Sequence, residues 1–299
     1  SILKSIAATL ENKIEEISTL VSAQNGIVLS STRAEFHMGL SCISSLIEFA
    51  PSYFSSELQE DKESWVKVNK EPKGVVAAIV PWNAPIVLTM QKLVPALLCG
   101  NTVVCKPSPF ASIGTSELIR LVALQLPPGV INIVHGDKNV GEALTAHPKV
   151  RMISFTGGGE TATQIMRTAS STIKDLHFEL GGNDAAIITE DVSIEKVADA
   201  LLLSGFRKAG QYCFATKRVY VSSSIFNQLF EVMKCKISTI AVGHQFTEGA
   251  TYGPLSNKNQ YDYVNTLIRN AIQAGADVTT LGEKLDPSLW KDGYYILPS

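Results

Sequence analysis

The sequence predicts a doubly wound α/β fold, in which helices cover both faces of a parallel sheet. From Gly74 onward, short apolar runs alternate with segments of helical periodicity, and this alternation is typical of consecutive β-α-β units. The predicted strands are Val75–Val80, Thr102–Cys105, Val130–Val134, Met152–Phe155 and Ala185–Thr189. The helices predicted after them are Ile86–Leu98, Ile113–Leu126, Val140–His147, Glu160–Ala169 and Ile194–Phe206.

Helices are also predicted before Gly74. Residues 2–24 carry apolar side chains at helical spacing, and Gly26 is a plausible stop. A capping box formed by Thr32 and Glu35 predicts the start of a second helix, which is expected to end near Pro51. The charged segment 58–73 alternates in polarity, which predicts an exposed hairpin.

The C-terminal part continues the pattern less regularly. We predict strands at Arg218–Val221, Val278–Leu281 and Tyr294–Leu297, and helices at Ile225–Cys235 and Gln260–Ala274. The length of 299 residues suits about two domains. We place their boundary near Glu179–Asn183, where two glycines interrupt the strand pattern, giving residues 1–181 and 182–299.

Composition excludes several classes of function. The formal net charge is -2, with 26 basic and 28 acidic residues, so neither nucleic acid nor an anionic membrane is an expected partner. No apolar run approaches the roughly 20 residues that cross a bilayer. The five cysteines are odd in number and form no C-x-x-C pair, which favours a reducing compartment, the cytoplasm, over a disulfide framework. No metal-ligand motif is found.

Polar residues follow four of the predicted strands, where open parallel sheets bind ligands. They are Trp82 and Asn83, Lys106 and Ser108, His135 and Gly136, and Gly157–Gly159. A single such residue is usually a helix cap or a turn residue, and a lysine is usually solvated. Four sets on successive strands predict a common site, in which the glycines before Glu160 would place a helix N-terminus close to a phosphate.

Two residues are candidates for covalent catalysis. Cys213 lies at the end of a helical segment, just before a strand, and a thiolate is a strong nucleophile. Most isolated cysteines are nonetheless inert and buried. Glu179 lies between Phe178 and Leu180 in a segment suited to burial, and a desolvated carboxylate would have a raised pKa that favours a role as general base. Asn83 carries an amide that can donate to an oxyanion.

These motifs together resemble the aldehyde dehydrogenase superfamily, the NAD(P)-dependent enzymes that oxidise aldehydes to acids. The paired E-L-G-G and G-Q-x-C motifs carry the resemblance most specifically, and the matching blocks cover nearly the whole chain in the expected order. The blocks are Gly74–Pro85, Leu93–Ser108, Phe155–Gly157, Phe178–Gly182, Gly210–Val221 and Gly293–Ser299.

The resemblance implies a role for each matching residue. Cys213 would be the nucleophile, Asn83 with the Cys213 backbone N–H would form the oxyanion hole, and Glu179 would activate water. Lys106 would bind the adenosine ribose, and Trp82 and Gly157 would pack against the cofactor phosphates. The remaining predicted cofactor-binding residues are Ser108, Gly136, Gly158, Glu160, Leu180 and Gly181. The hairpin near 58–73 resembles the family's oligomerisation hairpin, so a complete protein would be a homo-oligomer.

Several positions depart from the family pattern. Pro109 replaces a glutamate that would select against a 2′-phosphate, so the cofactor is expected to be NAD or NADP. Gly158 and Ala162 replace a serine and a glycine in the phosphate turn. Lys208, expected to be solvated, stands where a small or amide residue is more usual. Family members also extend well past residue 299, so the catalytic domain is expected to be incomplete at its C-terminus.

The sequence therefore predicts an NAD(P)-dependent aldehyde dehydrogenase that works through a cysteine thiohemiacetal and thioester. Two alternatives stay open. A catalytically inactive fragment or binding module of the same fold is compatible with the missing C-terminal block. An acylating enzyme that uses coenzyme A is disfavoured by Glu179, which such relatives generally lack.

Overall fold

The structure, a computed structural model, describes residues 2–299, and the chain divides into two compact units. Unit 1 consists of residues 2–18 and Arg33–Glu179, and unit 2 of Thr19–Thr32 and Leu180–Ser299. The chain passes from unit 1 to unit 2 for the last time after Glu179, two residues before the predicted boundary at 181. The inclusion of residues 19–32 in unit 2 was not expected. The cofactor-binding and catalytic roles of the two parts stay predictions.

Three helices open the chain: α1 (Ile2–Glu11), α2 (Ile14–Asn25) and α3 (Leu29–Tyr53). The prediction of a single helix over residues 2–24 is wrong, because the helix is interrupted at Asn12 and Lys13. The Asn12 side-chain amide donates to the Ala8 carbonyl, and the Lys13 N–H bonds three residues back to Leu10. Such local bonds of an asparagine side chain compete with regular helix hydrogen bonding.

The predicted capping box at Thr32 and Glu35 is also wrong. Helix α3 begins three residues earlier, and the Thr32 hydroxyl lies 2.8 Å from the Ser22 hydroxyl in a buried pair. Glu35, which is 1% exposed, instead accepts hydrogen bonds from the backbone N–H groups of Ile86 and Val87, at 2.7 and 3.2 Å. The carboxylate thus serves the start of another helix, whose first N–H groups have no partner of their own. The helix ends two residues beyond Pro51.

Segment 58–73 forms the predicted hairpin. Strand β1 (Glu57–Glu60) pairs antiparallel with β2 (Trp65–Val68), and every residue of both strands is exposed. Asp61 closes the turn by accepting hydrogen bonds from the backbone N–H groups of Glu63 and Ser64, and these bonds lower the pKa of its carboxyl. None of the side chains on the two strands is buried, and Trp65 is 68% exposed.

Unit 1 is built on a five-stranded sheet. Its strands are β3 (Val75–Ile79), β4 (Thr102–Lys106), β5 (Ile131–Ile133), β6 (Val150–Gly157) and β7 (Asp175–Leu180), in the order β5-β4-β3-β6-β7. Strand β3 pairs parallel with both β4 and β6, and β4 pairs parallel with β5. Four of the strands confirm the predicted pattern. Strand β7 was not predicted, because its polar side chains alternate with apolar ones and no apolar run marks it.

Helices cover both faces of this sheet. They are α4 (Pro85–Leu98), α5 (Ser112–Ala123), α6 (Lys138–Ala146) and α7 (Gly159–Ser170). Ile153 and Phe155 of β6 pack in one apolar cluster with Ile165 of α7, so α7 lies on their face. Ser154, which points to the opposite face, is reached by Lys92 of α4. The sheet is therefore doubly wound, and the predicted fold class is confirmed.

Unit 2 contains a shorter α/β arrangement. Strand β8 (Asp184–Ile188) is followed by α8 (Ile194–Phe206) and pairs parallel with β9 (Thr216–Val221). The remaining elements are α9 (Phe226–Ser238), β10 (Ala241–Val242), α10 (Lys258–Gln273) and β11 (Glu283–Lys284). The strands predicted at 278–281 and 294–297 are wrong, because these segments make isolated backbone bonds, such as Leu281 N–H to Pro298 O, rather than a ladder.

No helix within residues 2–299 is both long enough and apolar enough to cross a membrane.

We expect Glu35→Ala to lower the free energy of unfolding by about 2–4 kcal/mol, because it leaves two buried N–H groups without their acceptor. Urea denaturation followed by circular dichroism measures the change. Glu35→Gln keeps one acceptor oxygen and should recover part of the loss. Glu48→Ala, at an exposed position of the same helix, is the control and should change stability by less than about 0.5 kcal/mol. Equal losses at residues 35 and 48 would contradict the capping role.

Candidate active site

The sheet of unit 1 has a topological switch point between β3 and β6. From β3 the chain proceeds to β4 and β5 on one side, then crosses to β6 on the other side. Open parallel sheets bind ligands in the crevice beyond the carboxyl ends of the strands at such a point. Ile79 and Phe155 are register partners near these ends, so the turn with Trp82 and Asn83 and the turn with Gly157–Gly159 flank the crevice.

The β6–α7 turn presents backbone donors to this crevice. Gly158 is the N-cap of the 12-residue helix α7 and provides no side-chain cap, and a Cβ atom at Gly158 or Gly159 would meet no atom within 4 Å. The N–H groups of the first helical turn thus face open space, which suits a phosphate. The buried Thr156 hydroxyl, two residues before Gly158 in sequence, has no hydrogen-bond partner among residues 2–299. Glu160 is exposed in the first turn of α7.

Three other predicted cofactor-binding residues lie after β4 and β5. Lys106, the last residue of β4, is buried rather than solvated, and burial lowers the pKa of its ammonium against the opposing effect of Asp137. Ser108 caps a short 3-10 turn by accepting from the Phe110 N–H, which is the structural role of a strand-end serine. Gly136 has a φ of +148°, and a Cβ atom there would lie 2.3 Å from a methyl of Val140.

The turn that holds Asn83 is fixed by Glu35. Asn83 is half-buried and precedes Ala84, the N-cap of α4, which makes no side-chain capping bond. The first N–H groups of α4 are instead satisfied by the Glu35 carboxylate. Asparagine is common just before a helix because its side chain can cap the first N–H groups. At the start of α4, these N–H groups are capped by Glu35.

Cys213 lies in a turn that follows a run of left-handed backbone in unit 2. Lys208, Ala209 and Gly210 have φ values of 53°, 56° and 69°. Left-handed conformation disfavours each residue with a Cβ atom by about 1–2 kcal/mol and persists only where the surroundings enforce it. Lys208 is 8% exposed, so the prediction of a solvated lysine at this position is wrong. Such strain is concentrated at functional sites more often than elsewhere.

Side chains around Cys213 hold this turn. The Tyr212 hydroxyl lies 2.6 Å from the Ser204 carbonyl at the end of α8, and burial raises the pKa of this phenol. The Gln211 amide accepts from the Ser256 N–H and donates to the Lys208 carbonyl. The Lys217 ammonium donates to the carbonyls of Cys213 and Ala215 at 3.2 and 3.0 Å. The thiol-bearing turn is thus held by polar contacts on both sides.

The structure brings the loop of the E-L-G-G motif together with this turn. A Cβ atom at Gly182 would lie 3.0 Å from the Cys213 carbonyl oxygen, so glycine permits a close approach. The Arg218 guanidinium donates to the Asn183 carbonyl at 2.7 Å. Because β8 and β9 are parallel neighbours, the residues just before them lie at the same edge. Leu180 and Gly181 are exposed, and a Cβ atom at Gly181 would meet nothing within 4 Å.

Glu179 is placed differently from the prediction. Its side chain is 56% exposed rather than buried, and its Oε1 lies 3.5 Å from Nε2 of His177. The physical reason is the pleat of β7, whose alternate residues Leu176 and Phe178 pack on the apolar cluster while His177 and Glu179 point to the other face. Only the apolar neighbours of Glu179 pack against the cluster, and the Glu179 side chain itself does not.

A second group of polar residues, not found from the sequence, lies on the same face of the unit 1 sheet. Lys92 is 6% exposed and donates to the Ser154 hydroxyl at 3.1 Å, and this hydroxyl lies 3.2 Å from Nδ1 of His177. Burial lowers the pKa of Lys92 to about 8, with Glu179 and Cys105 acting in the opposite direction. The sequence contained one signal for this group, because Lys92 is the sole charged residue of the otherwise uncharged helix α4.

Within residues 2–299, no group of three or more histidine, cysteine, aspartate or glutamate side chains is arranged to hold a metal ion.

We expect Gly210→Ala to lower the free energy of unfolding by about 1–2 kcal/mol, because a Cβ atom is strained at a φ of +69°. The matched control is Gly205→Ala, inside helix α8, where a Cβ atom makes only an ordinary contact at 3.5 Å. That control should be neutral or stabilising by up to about 1 kcal/mol. Urea denaturation compares the two variants, and a destabilisation of similar size at both positions would contradict the strain.

We expect Lys92→Met to raise the free energy of unfolding by about 2 kcal/mol near neutral pH. The pKa of Lys92 falls from 10.5 to about 8 on folding, which corresponds to about 3 kcal/mol, less about 1 kcal/mol for the lost hydrogen bond. The folded pKa is the lower one, so the unfolded chain binds more protons between about pH 8 and 10.5 and wild-type stability rises with pH there.

The gain from Lys92→Met should therefore disappear by about pH 10, and urea denaturation at both pH values measures it. The exposed Lys196→Met is the control and should differ from wild type by less than about 0.5 kcal/mol at each pH. A gain that does not change with pH would contradict the desolvation of Lys92.

Known proteins match this chain throughout its length. The sequence model of the Aldehyde dehydrogenase family matches residues 1–299. The alpha-ketoglutaric semialdehyde dehydrogenase of Bacillus subtilis is 31% identical over 98% of this chain and 61% of its own. The crystal structure of betaine aldehyde dehydrogenase from Staphylococcus aureus in complex with NAD+ aligns with a TM-score of 0.94 and 28% identity over 99% of this chain and 59% of its own. An NADP-dependent enzyme of E. coli aligns with a TM-score of 0.93 and 30% identity over 100% and 62%.

The chain thus spans about 60% of the length of the relatives that it matches. The matched residues include the switch-point turns, the E-L-G-G loop and the strained turn before Cys213. The chain belongs to the aldehyde dehydrogenase family.

Proposed function

We propose that the protein oxidises an aldehyde to a carboxylic acid with NAD or NADP, through a covalent intermediate on Cys213. The observation that carries this proposal is the strained turn of residues 208–210, which precedes Cys213 and lies against the loop of the E-L-G-G motif in a member of this family. A buried structural cysteine needs no such turn, whereas a nucleophile needs a fixed orientation.

The proposed cofactor site lies at the switch point of the unit 1 sheet. The open N-terminus of α7 suits a pyrophosphate, with Gly157, Gly158 and Glu160 in the turn. Lys106, Ser108 and Gly136 would hold the ribose side, and Trp82, Leu180 and Gly181 would border the cofactor. The bound cofactor would supply the nicotinamide ring that accepts a hydride. Pro109 provides no carboxylate to exclude a 2′-phosphate, so both NAD and NADP are proposed.

The proposed chemistry assigns three residues. The Cys213 thiolate attacks the carbonyl carbon, and the Asn83 amide and the Cys213 N–H donate to the resulting oxyanion. After hydride loss leaves a thioester, Glu179 takes a proton from the water that attacks it, and the acid is released as the carbon–sulfur bond breaks and the thiolate is restored.

Two wider proposals follow from exposed features. The hairpin carries apolar side chains that stay largely exposed among the described residues, so we propose that it forms an interface between copies in a homo-oligomer. The exposed apolar residues are Leu58, Trp65, Val66 and Val68. All five cysteines are free, and a nucleophilic thiol needs a reducing compartment, so we propose the cytoplasm.

The test is kinetic, with the purified protein, a panel of aldehydes, and NAD and NADP in parallel. We expect Cys213→Ala to abolish production of the reduced cofactor, and Asn83→Ala to slow it by about 100–1,000-fold. Glu179→Gln should keep a fast burst of one equivalent and lose steady turnover, because the thioester is no longer hydrolysed. Cys235→Ala, at an exposed cysteine, is the control and should keep full activity.

The same assays separate the alternatives. Acid release without added coenzyme A would exclude the acylating reaction, whereas strict dependence on coenzyme A would overturn the hydrolytic assignment of Glu179. A folded protein of the expected mass that shows no turnover on any aldehyde would overturn the proposal and favour a binding module.

A further inference from the structure

A continuous chain of polar side chains in unit 1 ends at Glu179. It begins at Lys92 on α4, passes through Ser154 on β6 and His177 on β7, and reaches the Glu179 carboxylate. The successive distances are 3.1 Å, 3.2 Å and 3.5 Å. The first two are hydrogen bonds, and the third is slightly longer than a hydrogen bond, so a small rotation of either side chain closes it.

The chemistry of the first group gives this chain a direction. A lysine ammonium carries three donors and no acceptor, so the Ser154 oxygen accepts from Lys92. The single hydroxyl proton of Ser154 is then available for Nδ1 of His177, and in this arrangement Nδ1 is the unprotonated, accepting nitrogen. In the neutral imidazole the proton therefore sits on Nε2, the nitrogen that faces Glu179.

The surroundings of Lys92 favour this arrangement. Lys92 is held 6% exposed on α4, with Cys105 of β4 and Glu179 of β7 as the charged or titratable groups that act on it, and His177 beyond Ser154. Burial raises the pKa of Cys105 to about 12, so this neighbour is a neutral thiol at physiological pH. Glu179 is then the one anion among these groups, and it lies at the far end of the chain.

We propose that Lys92, Ser154 and His177 form a directional hydrogen-bond chain that fixes the Nε2–H tautomer of His177 and thereby orients the carboxylate of Glu179. His177 is a positioning residue, since it acts on the reaction through Glu179. The consequence for catalysis rests on the proposed function of Glu179, whereas the tautomer does not.

An ordinary surface pair would behave differently. The His177 and Glu179 side chains are 53% and 56% exposed. In an ordinary exposed pair of this kind the histidine has no fixed tautomer, and the pair contributes little to the stability of the fold. What distinguishes this pair is the buried lysine behind it, reached through a single hydroxyl. Removal of that hydroxyl cuts the chain and leaves the imidazole and the carboxylate in place.

The test measures the tautomer directly by two-bond ¹H–¹⁵N NMR on the protein labelled with ¹⁵N-histidine. At about pH 7.5 we expect the neutral form of the His177 ring to carry its proton on Nε2. Ser154→Ala and Lys92→Met should each produce a mixture of tautomers, and Ser154→Thr, which keeps the hydroxyl, should restore the single form. His177→Gln assigns the signal among the five histidines.

His135 is the internal control, because its Nε2 lies 3.4 Å from the Ser116 hydroxyl, and no lysine within residues 2–299 hydrogen-bonds to that serine. Its spectrum should not change in any of these variants. A proton on Nδ1 of His177 in the wild type, or an unchanged tautomer in Ser154→Ala, would overturn the proposal.

A kinetic measurement then links the tautomer to catalysis. In Ser154→Ala we expect the burst of reduced cofactor to persist and steady turnover to fall by about 3–10-fold, with recovery in Ser154→Thr. Steady turnover equal to wild type in a Ser154→Ala protein with mixed tautomers would overturn the positioning role. A protein in which Glu179→Gln turns over normally would instead overturn the proposed function of Glu179 and leave the tautomer measurement valid.

Discussion

The parallel pairing of β3 with β6 is the interaction on which the rest of unit 1 depends. It joins Val75–Ile79 to residues far away in sequence, beginning with Val150, and it leaves β4 and β5 on one side and β7 on the other. This single non-local ladder creates the switch-point crevice. It also puts Ser154 beneath α4 and beside β7, so the same pairing assembles the polar chain that ends at Glu179.

A second constraint acts at the mouth of that crevice. The first turn of α4 needs acceptors for its N–H groups, and the Glu35 carboxylate provides them from 51 residues away in sequence. The turn that contains Asn83 is thereby anchored by a residue outside it. A side chain whose proposed task is to donate to an oxyanion is positioned without serving as the cap of the helix that follows.

The sequence predicted those features whose physics is local or periodic. The strands of unit 1 up to β6 follow from apolar runs, and the hairpin follows from its charged, alternating segment. Features that depend on distant partners were missed or misread. Glu35 looked like a local cap because T-x-x-E is a local pattern, and Glu179 looked buried because its neighbours are apolar. The break at Asn12 is accompanied by a side-chain bond to the Ala8 carbonyl, a feature that the apolar periodicity does not report.

The candidate site shows the same division. The motifs placed Cys213, Glu179 and the strand-end residues on the sequence, but the motif alone gives no reason for the buried Lys208 or for Ala209 in left-handed conformation. Two such residues store about 2–4 kcal/mol of strain, which is a large fraction of the stability of a typical domain.

Tyr212, Gln211 and Lys217 bond to backbone around that turn and hold it. Most of these anchors bond to carbonyl or N–H groups, so they fix the backbone path and leave the thiol uninvolved. A turn that is strained at its backbone and held by its neighbours, with a half-buried cysteine, is what the proposed role of Cys213 as a nucleophile requires. The strain is thus maintained by contacts of the backbone around Cys213, and none of these hydrogen bonds uses the thiol.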